Sequence, residues 1–336
     1  MKAKIFVSLP DDAVRRSIFA EETITKLQAL YDVRWNALPR QMNEDELCAA
    51  LGDADVLVTG WGSEKITNRV LDAAPRLRMI AHTGGTIRYL VDEDFFARGI
   101  PVVNANATMG KAVAEYCLLV AMMGRWNILE EMALLQKGGW HQLCDTVPGL
   151  MGSTVGIIDY GDIAGSFIRM LLNLDVRVRV YAPYLTEEFA AENGFELVDL
   201  DTAMQCDVVS VHSTLTPASR HMIDAKKLRL MKDGALLINS ARGAVIDEEA
   251  LVAELKTGRI KAALDVYESE PLSEGHPLRN GLPNLIDTGH FAANSAYWRH
   301  RQAESILEDI AVVLSGGRTK NEITHERYLR LSPSYH

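Results

Sequence analysis

The sequence predicts an α/β fold with two doubly wound parallel sheets. Short apolar runs alternate with amphipathic segments at helical spacing through most of the chain, which is the order of a parallel sheet covered by helices. Residues 154–184 contain a strand, a glycine-bearing turn, a helix and a second strand, as in a dinucleotide-binding βαβ unit. A chain of 336 residues is long enough for two domains, each with its own core.

The composition narrows the classes of protein to consider. Hydrophobic residues make up 48% and charged residues 24%, as in ordinary globular proteins. The net charge of -10 argues against a nucleic-acid partner, because phosphate binding needs a basic surface. We expect no membrane segment, since no apolar run approaches about 18 residues. The N-terminus does not resemble an export signal, and the scattered cysteines predict reduced thiols in a cytoplasmic protein: Cys48, Cys117, Cys144 and Cys206.

The N-terminal hundred residues predict the smaller of the two sheets. Predicted strands are 5–8, 56–59, 77–81 and 102–103, and predicted helices are 21–31 and 66–74. A long apolar helix follows from Lys111 to about Gln136, with a bend expected near Gly124.

The remaining strands predict one larger sheet. Predicted strands are 155–158, 176–181, 208–211, 235–238, 262–266 and 285–286, and the intervening helices are 163–174, 186–193, 224–231 and 248–256. Asp247 should cap the last of these helices. A final helix, Ser295–Leu314, is expected to return to the first domain. The predicted domains are therefore 1–103 with 296–336, and 104–295.

The turn after the strand Val155–Ile158 departs from the dinucleotide-binding pattern G-x-G-x-x-G/A. The three pattern positions hold Asp159, Gly161 and Ala164. A carboxylate at the first position should repel the pyrophosphate unless it points away. Ala182 stands where an acid that binds the ribose is expected. An ordinary buried βαβ unit would explain this stretch about equally well.

Three polar residues follow three predicted strands: Arg242, Glu270 and His290. Functional groups collect at the carboxyl ends of strands in open α/β sheets, so these residues are expected to converge. The chemistry that fits is hydride transfer beside a carboxylate. A histidine moves the proton, a glutamate holds and charges the histidine, and an arginine binds the carboxylate as a bidentate fork.

Each of these residues also has an ordinary structural explanation. A loop arginine is usually solvated, a glutamate before proline usually lies at the surface, and a histidine beside glycine often belongs to a turn. No His-x-x-x-His or Cys-x-x-Cys spacing supports a metal site.

Six motifs in order make the chain resemble the D-isomer-specific 2-hydroxyacid dehydrogenases. They are VAEYCL (113–118), TVGII (154–158), DVVSVHSTLTPASRHMID (207–224), LLINSARGAVIDEEAL (236–251), AALDVYESEPL (262–272) and NLIDTGHFA (284–292). The resemblance covers roughly residues 51–317. It implies a dinucleotide-binding Rossmann domain inserted into a flavodoxin-like substrate domain, NAD or NADP as cofactor, and a homodimer.

The resemblance also implies residue roles. His290 matches the general acid/base, Glu270 its partner, and Arg242 the arginine that binds the substrate carboxylate. Gly84 and Gly85 match the loop whose backbone N–H groups meet that carboxylate. Asp265 matches the aspartate that holds the nicotinamide carboxamide. The other expected cofactor-binding residues are Asp159, Tyr160, Gly161, Asp162, Ile163, His212, Thr216 and Ala241.

Several positions depart from the family pattern. They are Asp159, Ala182, Thr214 and Gly289, together with Arg88 and Tyr89 in the substrate loop. Two functions therefore remain open. The first is an NAD(P)-dependent oxidoreductase acting on a small D-2-hydroxy acid or 2-keto acid, which the intact Arg242, Glu270 and His290 favour. The alternative is a dehydrogenase-like binding or regulatory protein with weak or lost cofactor binding.

Overall fold

The computed structural model describes residues 2–142, 146–279 and 281–331, which form two compact units. The first unit contains the described residues up to Met109 and from Asn294 onward, and the second contains Gly110–Ala293. The divisions at 109 and 294 lie within a few residues of the expected domain ends at 103 and 296.

Twelve strands and thirteen α-helices alternate along the described residues. The strands are β1 (Lys4–Val7), β2 (Asp32–Trp35), β3 (Val56–Thr59), β4 (Met79–His82), β5 (Val102–Asn104), β6 (Thr154–Ile158), β7 (Arg177–Tyr181), β8 (Glu196–Leu197), β9 (Val208–Val211), β10 (Leu236–Asn239), β11 (Lys261–Leu264) and β12 (Leu285–Asp287). The helices are α1 (Ala13–Ile18), α2 (Glu21–Leu30), α3 (Glu44–Leu51), α4 (Asn68–Asp72), α5 (Asn106–Arg125), α6 (Ile128–Gln136), α7 (Asp162–Leu171), α8 (Glu187–Glu192), α9 (Leu200–Met204), α10 (Ala225–Leu230), α11 (Glu248–Lys256), α12 (Ala296–Leu314) and α13 (His325–Leu329).

Each unit contains one parallel sheet, which confirms the predicted α/β fold. The strand order is β2-β1-β3-β4-β5 in the first sheet and β12-β11-β10-β9-β6-β7-β8 in the second. The central strands β3, β4, β6, β9 and β10 are buried along their whole length, as expected for strands covered on both faces. The final helix α12 belongs to the first unit, where Ile306 and Ile310 share a core with residues of β1 and β4.

The sequence does not predict the two edge strands β2 and β8. β2 alternates exposed and half-buried residues, and β8 has only two residues, so neither shows the continuous apolar run of a buried strand. The second sheet therefore has seven strands where the sequence predicted six.

Side-chain caps fix the starts of several helices. The predicted cap of α11 is confirmed, because the Asp247 carboxylate accepts a hydrogen bond from the Ala250 N–H. Asn43 and Glu46 form a reciprocal capping box at the start of α3.

The predicted long apolar helix is broken. α5 ends at Arg125, and α6 begins after Asn127, which adopts a left-handed conformation with φ 53°. Among the described residues no single helix is long and apolar enough to cross a membrane, and α5 and α6 meet that test only as a pair bent by 53°. Cys48, Cys117 and Cys206 carry free thiols, whereas Cys144 lies outside the described residues.

A close backbone contact in the second unit yields a stability prediction. A Cβ at Gly156 of β6 would lie 2.2 Å from the Ala203 carbonyl oxygen, so Gly156→Ala must displace backbone. We expect a loss of about 1–3 kcal/mol in unfolding free energy, the usual range for overpacking. Chemical denaturation measures this loss. The matched control is Gly275→Ala, because a Cβ there meets nothing within 4 Å; equal stability of the two variants would contradict the contact.

Candidate active site

The predicted catalytic residues lie at one edge of the second sheet, in the loops after three neighbouring strands. β10, β11 and β12 are adjacent and parallel. Arg242, Glu270 and His290 lie in the loops that follow them. Because carboxyl ends of parallel strands meet at the same edge, the topology brings the three loops together.

His290 and Glu270 form a direct pair. His290 Nδ1 lies 2.6 Å from Glu270 Oε2, and Glu270 Oε1 accepts a hydrogen bond of 3.0 Å from the Tyr267 N–H. No described residue hydrogen-bonds to Nε2 of His290, whose side chain is 59% exposed. The second ring nitrogen is therefore available to a ligand.

The pairing shifts the pKa values of both groups. The hydrogen bond that His290 donates to Glu270 raises the pKa of His290 above its ordinary value, although burial works in the opposite direction. Burial raises the pKa of Glu270, but the hydrogen bonds from His290 and from the Tyr267 N–H outweigh it, so the net pKa is lowered. Both shifts favour an imidazolium paired with a carboxylate.

Asp265 holds the turn that carries His290. Its side chain is almost fully buried. Oδ1 accepts hydrogen bonds from the Thr288 hydroxyl at 2.5 Å and the Phe291 N–H at 2.6 Å, and Oδ2 accepts one from the Ala292 N–H at 2.9 Å. The His290 N–H donates to the Asp265 carbonyl at 2.8 Å, and His290 adopts a left-handed conformation with φ 53°. Motif comparison missed this positioning role, and the predicted carboxamide contact stays a prediction.

Arg242 is half-buried beside this pair. Burial lowers the pKa of its guanidinium, and the negative charge of Glu270 partly offsets that effect. Because an arginine remains charged at neutral pH even so, the side chain offers a cation in a poorly solvated place. One guanidinium nitrogen of Arg242 donates to the Ala241 carbonyl at 2.6 Å. The side-chain amide of Asn239 donates to the Arg242 carbonyl at 3.0 Å.

Gly243 lets the arginine loop approach the glutamate loop. A Cβ at Gly243 would lie 1.9 Å from the carbonyl carbon of Tyr267, a separation that only glycine permits. The backbone of Tyr267 therefore packs against the loop of Arg242 on one side, and its N–H holds Glu270.

The turn after β6 keeps the backbone course of a glycine turn despite Asp159. Asp159 has φ 76°, which aspartate tolerates better than most residues. Its Oδ1 accepts hydrogen bonds from the Tyr160 N–H at 2.7 Å and from the Tyr184 hydroxyl. α7 begins after Gly161, which supplies no side-chain cap, so Asp159 neither caps α7 nor lies free in solvent.

The same turn fits a dinucleotide. A Cβ at Gly161 would meet nothing within 4 Å, and Ala164 is fully buried, as close packing of helix on strand requires. Asp162 and Ile163 are the first residues of α7. The backbone N–H groups at a helix start suit a pyrophosphate.

The other predicted cofactor residues, His212, Thr216 and Ala241, follow the strands β9 and β10. Burial lowers the pKa of His212 to about 4, so its ring is neutral. Its Nε2 lies 3.0 Å from Ser210 Oγ, whereas its buried Nδ1 has no hydrogen-bond partner among the described residues. Thr216 begins a tight turn in which its N–H donates to Ser219 Oγ at 2.8 Å, and Ala241 is 8% exposed.

The predicted substrate loop lies in the first unit. A Cβ at Gly84 would lie 2.5 Å from Nε2 of the buried His82, and one at Gly85 would lie 3.3 Å from the side-chain oxygen of Asn106. Burial lowers the pKa of His82 to about 3. Arg88 lies over the ring of Tyr328, 4.5 Å from its centroid.

Tyr89 stabilises the same loop, because its hydroxyl donates to the Gly60 carbonyl at 3.1 Å.

Within the described ranges, no group of three or more His, Cys, Asp or Glu side chains is placed to hold a metal ion.

Comparisons with known proteins agree with this geometry. The family model described as "D-isomer specific 2-hydroxyacid dehydrogenase, NAD binding domain" matches residues 118–292. This family model and the reductases and dehydrogenases similar to this chain indicate an oxidoreductase with a nicotinamide cofactor. The chain belongs to the D-isomer specific 2-hydroxyacid dehydrogenase family, which confirms the resemblance seen in its motifs.

Individual relatives are similar over most of this chain. A glyoxylate reductase from Thermofilum pendens is 34% identical over 82% of this chain and 82% of its own length, and one from Thermococcus litoralis is 30% identical over 99% and 100%. A D-3-phosphoglycerate dehydrogenase from Methanocaldococcus jannaschii is 33% identical over 87% of this chain, which spans only 57% of that relative. The structure of a phosphoglycerate oxidoreductase from Rhizobium etli has a TM-score of 0.81 at 27% identity, covering 96% of this chain and 98% of that one.

The His290–Glu270 pair yields a prediction that needs no turnover. Glu270→Gln removes the negative partner, so the pKa of His290 should fall to or below its ordinary value near 6.5. At neutral pH a smaller fraction of His290 will then be protonated. NMR titration of the imidazole signals measures the change, with Glu274→Gln as the control. An unchanged His290 titration would remove Glu270 from the pair.

Proposed function

We propose that this chain catalyses reversible hydride transfer between NAD(P)H and a small 2-keto acid, giving the D-2-hydroxy acid. The observation that carries this proposal is the 2.6 Å His290–Glu270 pair, whose second ring nitrogen is available to a ligand, with Arg242 at the adjoining strand end. The family of the chain supports the same reaction class.

The proposed roles follow from the charges of the three side chains. A nicotinamide cofactor, when bound, would supply or accept the hydride. On reduction, protonated His290 gives its Nε2 proton to the substrate oxygen, and Glu270 keeps the ring charged and oriented through Nδ1. Arg242 binds the substrate carboxylate as a two-pronged donor, which also places the keto carbon beside His290.

The residues of the two units have different proposed roles. The second unit holds the dinucleotide, supported by the turn at Asp159–Ile163 and by the segments of His212, Thr216 and Ala241. In the first unit, the proposed substrate-binding residues are Gly84 and Gly85, through their backbone N–H groups. A Cβ at Gly84 would collide with the His82 ring at 2.5 Å, whereas one at Gly85 would make only a tight contact of 3.3 Å with Asn106.

The substrate we propose is a small 2-keto acid such as glyoxylate or hydroxypyruvate. The relatives that this chain covers over most of their length are named for these two compounds. Relatives named D-3-phosphoglycerate dehydrogenase supply a phosphorylated acid as the second candidate.

One observation favours the alternative of a dehydrogenase-like binding protein without turnover. A carboxylate stands in the cofactor turn and the expected ribose acid is missing at Ala182. A protein released from catalysis would have no reason to keep His290, Glu270 and Arg242 in place, so the enzyme is the better explanation. Titration with NADH followed by fluorescence separates the two.

We also propose that the chain forms a homodimer through α5, α6 and the segment that follows. Large apolar side chains are exposed there: Leu119, Met122, Trp126, Met132, Leu134, Leu135 and Trp140. A patch of this kind on a folded protein usually marks an interface. The free thiols and a nicotinamide cofactor support a cytoplasmic location.

Arg242→Lys tests the carboxylate contact. Lysine keeps the charge but loses the planar fork, so we expect KM for a 2-keto acid to rise at least ten-fold and kcat to fall. NADH affinity, measured by fluorescence, should change little. Arg220→Lys, outside the proposed site, is the control. Near-normal kinetics of Arg242→Lys would mean that the carboxylate is held elsewhere.

Leu119→Glu tests the dimer. A charge at a buried interface is costly, so sedimentation velocity should show a shift from dimer to monomer. Leu329→Glu is a matched control, because Leu329 is 53% exposed and Leu119 55%. A dimer that persists in Leu119→Glu would place the interface elsewhere.

A further inference from the structure

The two departures in the cofactor turn lie side by side in the sheet. β6 and β7 are parallel partners, with Ile158 opposite Tyr181. Asp159 and Ala182 are the next residue of each strand, and the Asp159 N–H donates to the Tyr181 carbonyl at 2.8 Å. An acid stands at one position, and the expected ribose acid is missing at the neighbouring one. The two departures therefore concern one small region.

The carboxylate of Asp159 lies on the β7 side of the turn. Its Oδ1 accepts the hydroxyl of Tyr184, which follows β7, and this hydroxyl also lies 2.6 Å from the Tyr160 carbonyl oxygen. The carboxylate does not cap α7, whose N-cap Gly161 has no side-chain hydrogen bond. The acid is therefore held away from the N–H groups suited to a pyrophosphate.

One oxygen of this carboxylate remains available. Oδ1 takes both hydrogen bonds, from the Tyr160 N–H and the Tyr184 hydroxyl, and Oδ2 has no hydrogen-bond partner among the described residues. Asp159 is half-buried. A half-buried, oriented carboxylate oxygen is a strong acceptor for a hydroxyl group.

We infer that Asp159 binds the ribose hydroxyls of the adenosine half of NAD, in place of the acid missing at Ala182, and selects NAD over NADP. The inference deepens the proposed function and rests on it. The 2′-phosphate of NADP would face the Asp159 carboxylate, and like charges repel. No arginine follows β7 in residues 182–186 to bind such a phosphate. Tyr184 acts as a positioning residue through its hydrogen bond to Oδ1.

Binding of NADH and NADPH to the wild type, Asp159→Asn and Asp159→Gly tests the inference. Asn keeps an acceptor for the Tyr160 N–H but loses the charge, and glycine suits φ 76°. We expect wild type to bind NADH at least ten-fold more tightly than NADPH, and both variants to lose about ten-fold in NADH affinity with no loss for NADPH. Thermal melts confirm that the variants fold.

A double variant provides the sharpest comparison. Asp159→Gly with Ala182→Asp returns the acid to the paired position and the glycine to the turn, so NADH affinity should recover toward wild type. Tyr184→Phe should weaken NADH binding less than Asp159→Asn, because only the orientation of the carboxylate is lost. A double variant that folds but still binds NADH weakly would contradict the inference that an acid at either position binds the ribose.

The opposite outcomes are equally measurable. Tighter NADH binding by Asp159→Gly would mean that the carboxylate repels the pyrophosphate, and would overturn the inference. Wild type that reduces a 2-keto acid but binds NADH no more tightly than Asp159→Asn would overturn the ribose contact and leave the proposed function intact. Wild type that binds neither nucleotide would overturn both.

Discussion

The candidate active site at the edge of the second sheet depends on the burial of one carboxylate, that of Asp265. An unpaired charge at 1% exposure would be strongly destabilising, so its oxygens must be satisfied by donors. Those donors all come from the loop after β12: the Thr288 hydroxyl and the N–H groups of Phe291 and Ala292. The same loop contains His290. The position of the His290 ring is thus fixed by the need to satisfy a buried carboxylate, in addition to the contacts of the ring itself.

The loops after β10 and β11 are coupled through the backbone of Tyr267. Its N–H binds Glu270, and its carbonyl carbon lies so close to Gly243 that no side chain fits there. Glu270 in turn contacts His290, and its charge influences Arg242. A displacement of any one loop would therefore change the charge environment of the other two. This coupling holds three residues that are far apart in sequence in one cluster of interacting charges.

The sequence predicts the buried strands better than it predicts the edges of the sheets. The buried strands β6, β9 and β10 were predicted because both their faces are covered and their residues are continuously apolar. The edge strands β2 and β8 lack this signal, because one side of an edge strand is exposed and its pattern resembles a loop. The sequence predicts that His290, Glu270 and Arg242 lie at one sheet edge because each follows a predictable strand, while their catalytic roles stay a prediction. The role of Asp265 was missed, because hydrogen bonds between a strand end and a loop 23 or more residues later leave no pattern in spacing.

Asp159 shows where sequence reasoning reaches its limit. The sequence establishes that a negative charge stands in the turn, and charge alone predicts repulsion of a pyrophosphate. The effect of a charged group depends on where that group lies. The φ angle of Asp159 and the hydrogen bond from the Tyr184 hydroxyl determine the position of this carboxylate. The Tyr184 hydroxyl binds the carboxylate to the segment after β7, and no side chain caps α7. An acid that would oppose the cofactor at one end of the turn can therefore bind it at the other.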